Sequence, residues 1–188
     1  MKRIMLFSLA LFSCTAASAF AEDLSENATA KKLSLTVGAM YGFTLNGNTL
    51  RAAHSPGLTA VLGYDLTPRS TLLASWAHQA FRYGSDTITD DNFSLGYKYW
   101  LTDSQSWRPW VQVGAGYVWE KFDEEWLGSH YRYGTGNFQM NAGGGLRHQL
   151  TENIGIDASA LLYKSGPPWK WNYSSKVLAT SLGIDVGF

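Results

Sequence analysis

Five charged residues, Asp65, Lys98, Arg147, Asp157 and Asp185, carry the most definite chemical message in the chain. Each sits in a segment of alternating character, on the polar side of the alternation. Three carboxylates and two cations brought into one narrow space would either neutralise one another or mark an ion path. A second set offers hydrolytic chemistry: His130, Ser174 and Ser175, with the carboxylates Asp123, Glu124 and Glu125. A serine–histidine–carboxylate device needs all three groups within hydrogen-bond reach. No motif brings the serines to His130, and no His-x-Ser-Asn is present, so no catalytic residue is assigned. His54, His78, His130 and His148 are scattered rather than spaced as metal ligands, and neither a metal nor a cofactor is expected. Gly143-Gly144-Gly145 lacks the following Lys-Ser/Thr and the helix that a phosphate loop requires.

A third group is aromatic and basic: Trp126, Arg132, Trp169, Lys170 and Trp171. Trp and Arg are residue types that anchor interfaces, and basic side chains suit lipid phosphates. The competing explanation is an interfacial aromatic girdle that extends a little into solvent.

The elements that must position these groups are strands. Leu182, Ile184, Val186 and Phe188 alternate with Ser181, Gly183, Asp185 and Gly187, which is the strand period. Phe138, Met140, Ala142 and Leu146 alternate with Gln139, Asn141, Gly143 and Arg147. Phe93, Leu95, Tyr97, Tyr99 and Leu101 alternate with Ser94, Gly96, Lys98 and Trp100. Eight such segments are predicted near 33–44, 56–66, 70–82, 92–102, 109–121, 137–150, 154–164 and 175–188. Each meets or slightly exceeds the roughly 9 to 11 residues that a tilted strand needs to cross hydrocarbon. Connections alternate between short ones at 67–69, 102–108 and 151–153 and long ones near 45–55, 83–91, 122–136 and 165–174. The short ones each follow a leucine and open on threonine (Leu66-Thr67, Leu101-Thr102, Leu150-Thr151), a faint internal repeat. Short periplasmic turns and longer external loops are the topology of an outer-membrane barrel.

Composition agrees. Charged residues make up 16% and aromatics 14%, with 19 glycines, whereas a soluble domain carries nearer a quarter charged residues. A formal net charge of zero argues against a nucleic-acid partner. After residue 21 no apolar run is long enough for a membrane-spanning helix. A soluble barrel would place its apolar faces inside. Apolar faces that run over most of each strand, aromatics toward strand ends and a terminal Phe188 favour the membrane.

Residues 1–21 read as a cleaved signal peptide: Met1-Lys2-Arg3, an apolar stretch to Phe12, and two small-x-small sites, Ala17-Ser18-Ala19 and the preferred Ala19-Phe20-Ala21, after which the chain turns acidic and polar. Cys14, the single cysteine, lies inside it; a lipoprotein site there is disfavoured by Phe12. Residues 22–32 are expected to be a flexible periplasmic lead, and 33–188 the barrel.

Strand parity sends Asp65, Lys98, Arg147, Asp157 and Asp185 into the periplasmic half of the lumen, and Glu120 inward near the external end. An eight-stranded barrel is just wide enough for side chains to fill, so these charges are expected to pair as a polar plug. The alternative is a narrow ion path. Inward glycines, Gly38, Gly63, Gly96, Gly114, Gly116, Gly143 and Gly155, are expected to make room for long neighbours.

The alternating strands, the segment Val111-Gln112-Val113-Gly114-Ala115-Gly116-Tyr117 and the terminal Gly187-Phe188 resemble the small eight-stranded outer-membrane proteins, the OmpA membrane domain and the OmpX/Ail group. The resemblance covers nearly the whole chain after residue 21. It implies an all-β transmembrane antiparallel barrel, and a terminal Phe read by the barrel-assembly machinery. No segment resembling the peptidoglycan-binding domain of full-length OmpA is expected, since the sequence stops at Phe188. The expected function is a non-enzymatic structural or surface-interaction role, through adhesion or lipopolysaccharide contact, with a plugged lumen. Its partners would be outer-membrane lipid, lipopolysaccharide and a host or envelope protein met by the external loops. A narrow solute channel and an envelope-lipid enzyme are the alternatives.

Overall fold

Alternation over eight segments builds eight antiparallel strands. The computed structural model describes residues 33–45, 54–83, 86–103, 106–126, 129–166 and 175–188. The signal-peptide and lead assignments for 1–32 lie outside the described residues, as does the connection at 167–174. The strands are β1 Leu33–Thr44, β2 His54–Thr67, β3 Ser70–Tyr83, β4 Asp86–Trp100, β5 Trp107–Trp126, β6 Ser129–Gln149, β7 Ile154–Ser165 and β8 Ser175–Gly187. They pair in chain order and β8 closes on β1.

The register fixes the geometry. Following cross-strand partners from Leu33 through Tyr64, Leu72, Tyr97, Val113, Ala142, Leu162 and Leu178 returns to β1 at Phe43, ten residues further on. A stagger of ten over eight strands sets a tilt of about 41° and a backbone radius of about 8 Å, given ~3.3 Å per residue and ~4.8 Å between strands. Each residue then rises about 2.5 Å along the axis, so the ~25 Å apolar band takes about ten residues per strand.

All residues on that path face outward, and the outward set is apolar and exposed: Leu35, Val37, Leu58, Leu62, Leu95, Val113, Leu182 and Ile184 among them. Aromatics border the band. Tyr41 and Phe43 meet edge to face at 5.0 Å, as do Tyr117 and Trp119. Trp107 stacks on His148 at 4.1 Å at the periplasmic end.

Strands β5 and β6, at twenty and twenty-one residues, rise about 50 Å, twice the apolar band. Here the boundaries differ from expectation. Residues 83, 86–91, 122–126 and 129–136 continue as paired strands, so only 84–85 separate β3 from β4 and only 127–128 separate β5 from β6. Outside hydrocarbon the outward face no longer needs apolar side chains. Alternation therefore disappears while the hydrogen-bond ladder goes on.

The Leu-Thr repeat has a structural cause. Thr67 Oγ1 accepts from the Arg69 N–H at 3.2 Å, and Thr151 Oγ1 accepts from the Asn153 and Ile154 N–H groups at 3.3 and 3.1 Å. The Thr102 hydroxyl donates to the Trp107 carbonyl at 3.4 Å. Each threonine closes the turn it opens. Arg69 adds a bidentate pair across two turns to Asp103, with Nε to Oδ1 at 2.8 Å. The Arg69 guanidinium holds the Asp103 carboxyl below its usual range, and the pairing pushes Arg69 up.

The glycine expectation holds for some positions and not for others. A Cβ on Gly155 would meet the Arg147 side chain, on Gly114 that of Asn141, and on Gly63 those of Ser34 and Thr71. At Gly38, Gly96, Gly116 and Gly143 it would first meet the main chain of the adjoining strand. Those four accommodate the curvature of a small barrel, where inner faces crowd.

Candidate functional site: lumen and external hairpin

The lumen is built in layers from inward side chains. In the periplasmic half, Lys98 Nζ on β4 lies 3.5 Å from Asp157 Oδ2 on β7, with the two side chains only 9% and 7% exposed. Arg147 Nη2 on β6 lies 2.6 Å from Asp185 Oδ2 on β8. That oxygen has no aligned hydrogen bond, so proximity of charge defines this pair; the Thr36 hydroxyl holds the other oxygen, Oδ1, at 2.7 Å. Asp65 accepts from the Thr71 hydroxyl at 2.5 Å, and Arg108 and Arg147 are the cations acting on it. The five charges thus form two ion pairs and one hydroxyl-held carboxylate.

Two contributors were absent from the sequence reading. Arg108, which fell in the turn assigned to 102–108, is the second residue of β5 and stacks its guanidinium 4.3 Å over Trp100. With it the layer holds three carboxylates and three cations, and is neutral. Trp110, directly opposite Trp100 in the register, donates its indole N–H to Asp157 Oδ2 at 3.1 Å. Lys98 lies 4.2 Å from the Trp110 ring centre. A desolvated ammonium over an indole face is stabilised by the ring quadrupole. Both arginine and indole share the even parity of Gln112 and Gly114, which was the available signal.

Above this layer a cavity of about 40 Å³ touches Lys98, Asp157, Thr36, Ser75 and Ser159. That is room for a few waters among polar groups. Met40, Ala77 and Ala179, with Tyr163 packed against them, form an apolar cluster beside it. Gln79, Phe81, Asp90, Val118 and Gln139 are buried toward the external end, and Glu120 accepts from the Asn137 amide at 3.1 Å.

On the outer wall above the aromatic border, His78 Nδ1 meets Asp91 at 2.8 Å and Lys121 Nζ meets the other carboxylate oxygen at 3.4 Å. Arg132, 81% exposed, bonds Asp123 at 2.8 Å, on the projecting β5–β6 hairpin. Trp126 ends β5. Trp169, Lys170, Trp171 and Ser174 lie outside the described residues, so the serine–histidine set gains no geometry. Among the described residues, no three of His, Cys, Asp and Glu converge as a metal site.

The "Outer membrane protein beta-barrel domain" pattern matches residues 7–188. No curated protein sequence matches the chain. Among solved structures, Neisserial surface protein A (NspA) is 14% identical with a TM-score of 0.68, over 83% of this chain and 97% of that one. Ail of Yersinia pestis is 16% identical with a TM-score of 0.60, over 85% and 100%. The outer membrane enzyme PagL is 17% identical with a TM-score of 0.51, over 84% and 99%. These likenesses are of fold. Taken with the closed eight-stranded barrel and its outward apolar band, the match identifies the chain as a member of the outer membrane protein beta-barrel family, one of the small eight-stranded barrels of the bacterial outer membrane.

Proposed function

We propose that this barrel is a non-enzymatic surface-interaction protein with a plugged lumen, whose contacts with lipopolysaccharide or with host and envelope proteins are made at its external end. The observation that carries this reading is the filled, charge-balanced periplasmic layer of Lys98, Arg108 and Arg147 with Asp65, Asp157 and Asp185. Trp100 and Trp110 pack into the same layer. A lumen occupied in this way has little to offer solutes, which leaves the outer wall and the hairpin as working surfaces. Ail was crystallised with the heparin analogue sucrose octasulfate. A sulfated or phosphorylated ligand on this chain would meet Arg132 and Lys121, and Trp126, Trp169, Lys170 and Trp171 are proposed to join them. Biogenesis through the barrel-assembly machinery is part of the same reading.

Single-channel recording of the refolded protein in planar bilayers tests the plug. Silence from wild type is the expected result. Steady, salt-dependent current that Asp185→Asn and Arg147→Ala alter would make the lumen the working site instead. Release of acyl chains from lipid A by the purified barrel would overturn the non-enzymatic part. On the external side, Arg132→Ala is expected to weaken retention on immobilised lipopolysaccharide or heparin.

A further inference from the structure

Two carboxylates stand directly opposite each other inside the external end of the lumen. Asp90 on β4 and Glu120 on β5 are cross-strand partners, and both face inward. Like charges so placed repel, and the Glu120 and Asp91 carboxylates both act electrostatically on Asp90. Among the described residues, no inward Lys or Arg stands in this half of the barrel: Lys121, Lys164 and Lys176 all fall on outward positions of their strands.

The surroundings are also unfinished. Asp90 is 9% exposed and its Oδ1 has no hydrogen-bond partner. Gln139 on β6, 1% exposed, carries an amide nitrogen with no partner. The stagger sets their heights. Gln139 pairs with Gly116, which pairs with Ser94, four residues below Asp90 on β4. Partner rows climb ten residues per circuit, or just over one per strand, so two strands bring Gln139 to within about two residues of Asp90. Glu120 stands slightly above Asp90, and Asn137, bonded to Glu120, stands between. The four residues occupy inward positions at similar height on three adjacent strands. The two ends of a glutamine amide are interchangeable, so Gln139 can present its oxygen where the unpartnered nitrogen now stands.

We infer that Asp90, Glu120, Gln139 and Asn137 form a site for a hard divalent cation of the calcium type, at the external mouth of the lumen. Calcium takes six to eight oxygens and mixes carboxylates, amide carbonyls and waters. Two carboxylates and two amides with water completing the shell suit it, and the ion removes the repulsion between Asp90 and Glu120. With only two charged ligands the affinity belongs on the order of 0.1–1 mM, in the class of extracellular calcium modules. The site is separate from the charged layer below the Met40 cluster and does not depend on the proposed function.

Calorimetric titration of the refolded full chain with CaCl2 tests it, with NaCl as the control for ionic strength. Single-site binding in wild type, weakened at least tenfold in Asp90→Asn and Glu120→Gln, is expected. Gln139→Glu adds a third carboxylate and should tighten binding by roughly tenfold. Heat-modifiable mobility on gels reports whether each variant has folded. Because Gln139→Glu predicts a gain, misfolding of the two loss variants would not rescue the idea. Absence of binding in wild type, undiminished binding in folded Asp90→Asn, or no tightening in Gln139→Glu would each overturn the site. So would stability that responds to pH but not to calcium, which would mean that a shared proton alone relieves the carboxylates.

Discussion

Replacing Lys98 by Met keeps the volume of the side chain and removes its charge. Asp157 is then left 7% exposed, with the Trp110 indole as its direct donor and Arg147 as the remaining cation acting on it. Breaking a buried ion pair from one side costs roughly 3–5 kcal/mol. The water-sized cavity beside both groups lets solvent relieve part of that, which places the expectation near 3 kcal/mol. This is about a hundredfold loss in the folding equilibrium. Asp157→Asn should fall in the same range, since it strands the ammonium instead. The double variant removes both charges and should lie within about 1 kcal/mol of wild type, because a buried pair exchanged for neutral groups is close to neutral. The measurement is reversible urea unfolding in lipid vesicles, followed by tryptophan fluorescence and arranged as a double-mutant cycle. Single variants that cost under ~1 kcal/mol, or costs that add in the double variant, would refute the claim that these two charges are buried against each other.

Three further expectations use the same unfolding assay or a titration. Gly145→Val drives a Cβ into the Trp110 ring and the Ala158 carbonyl and should destabilise by about 1–3 kcal/mol; Gly134→Ala, with one ordinary contact at 3.4 Å, should be nearly silent. Thr151→Ala removes the acceptor for two turn N–H groups and should cost about 1 kcal/mol; no change would mean that water replaces the hydroxyl. Asp103, held below the usual carboxylate range by Arg69, contributes stability that is present above its unfolded pKa and lost as pH falls through its folded one. Its carboxyl chemical shift should therefore titrate below 3.8, and in Arg69→Ala should return toward that ordinary value.

Period-two alternation made the strands within hydrocarbon legible, because lipid on one side and a packed lumen on the other force opposite chemistries on successive residues. Outside the bilayer that constraint is gone, so the outer halves of β5 and β6 read as loop although the ladder continues through Arg132. Parity also sent the five lumen charges inward. It could not supply partners, since the Lys98–Asp157 and Arg147–Asp185 contacts join strands two or more apart. Arg108 was missed because a boundary drawn at 109 cut it from its own face, and the expected charge sum stayed one cation short. Gly38, Gly96, Gly116 and Gly143 show another limit. Their need for a bare backbone comes from curvature between neighbouring strands, which no one-dimensional pattern carries.

On the proposed reading of a plugged lumen, the stagger, more than the charges, is what calls for the plug. With eight strands and a shear of ten the backbone wall stands about 8 Å from the axis, so inward side chains from opposite walls meet near the middle. Trp100 and Trp110, side by side on β4 and β5, leave the remaining width to Lys98, Arg108 and Arg147. In so small a space an unpaired cation would face a large desolvation penalty. Three carboxylates from β2, β7 and β8 answer three cations from β4, β5 and β6, so the neutral layer ties together six of the eight strands. Closing the lumen and holding the barrel wall together are, on this geometry, the same set of contacts. A substitution that opens the path must therefore also loosen the barrel.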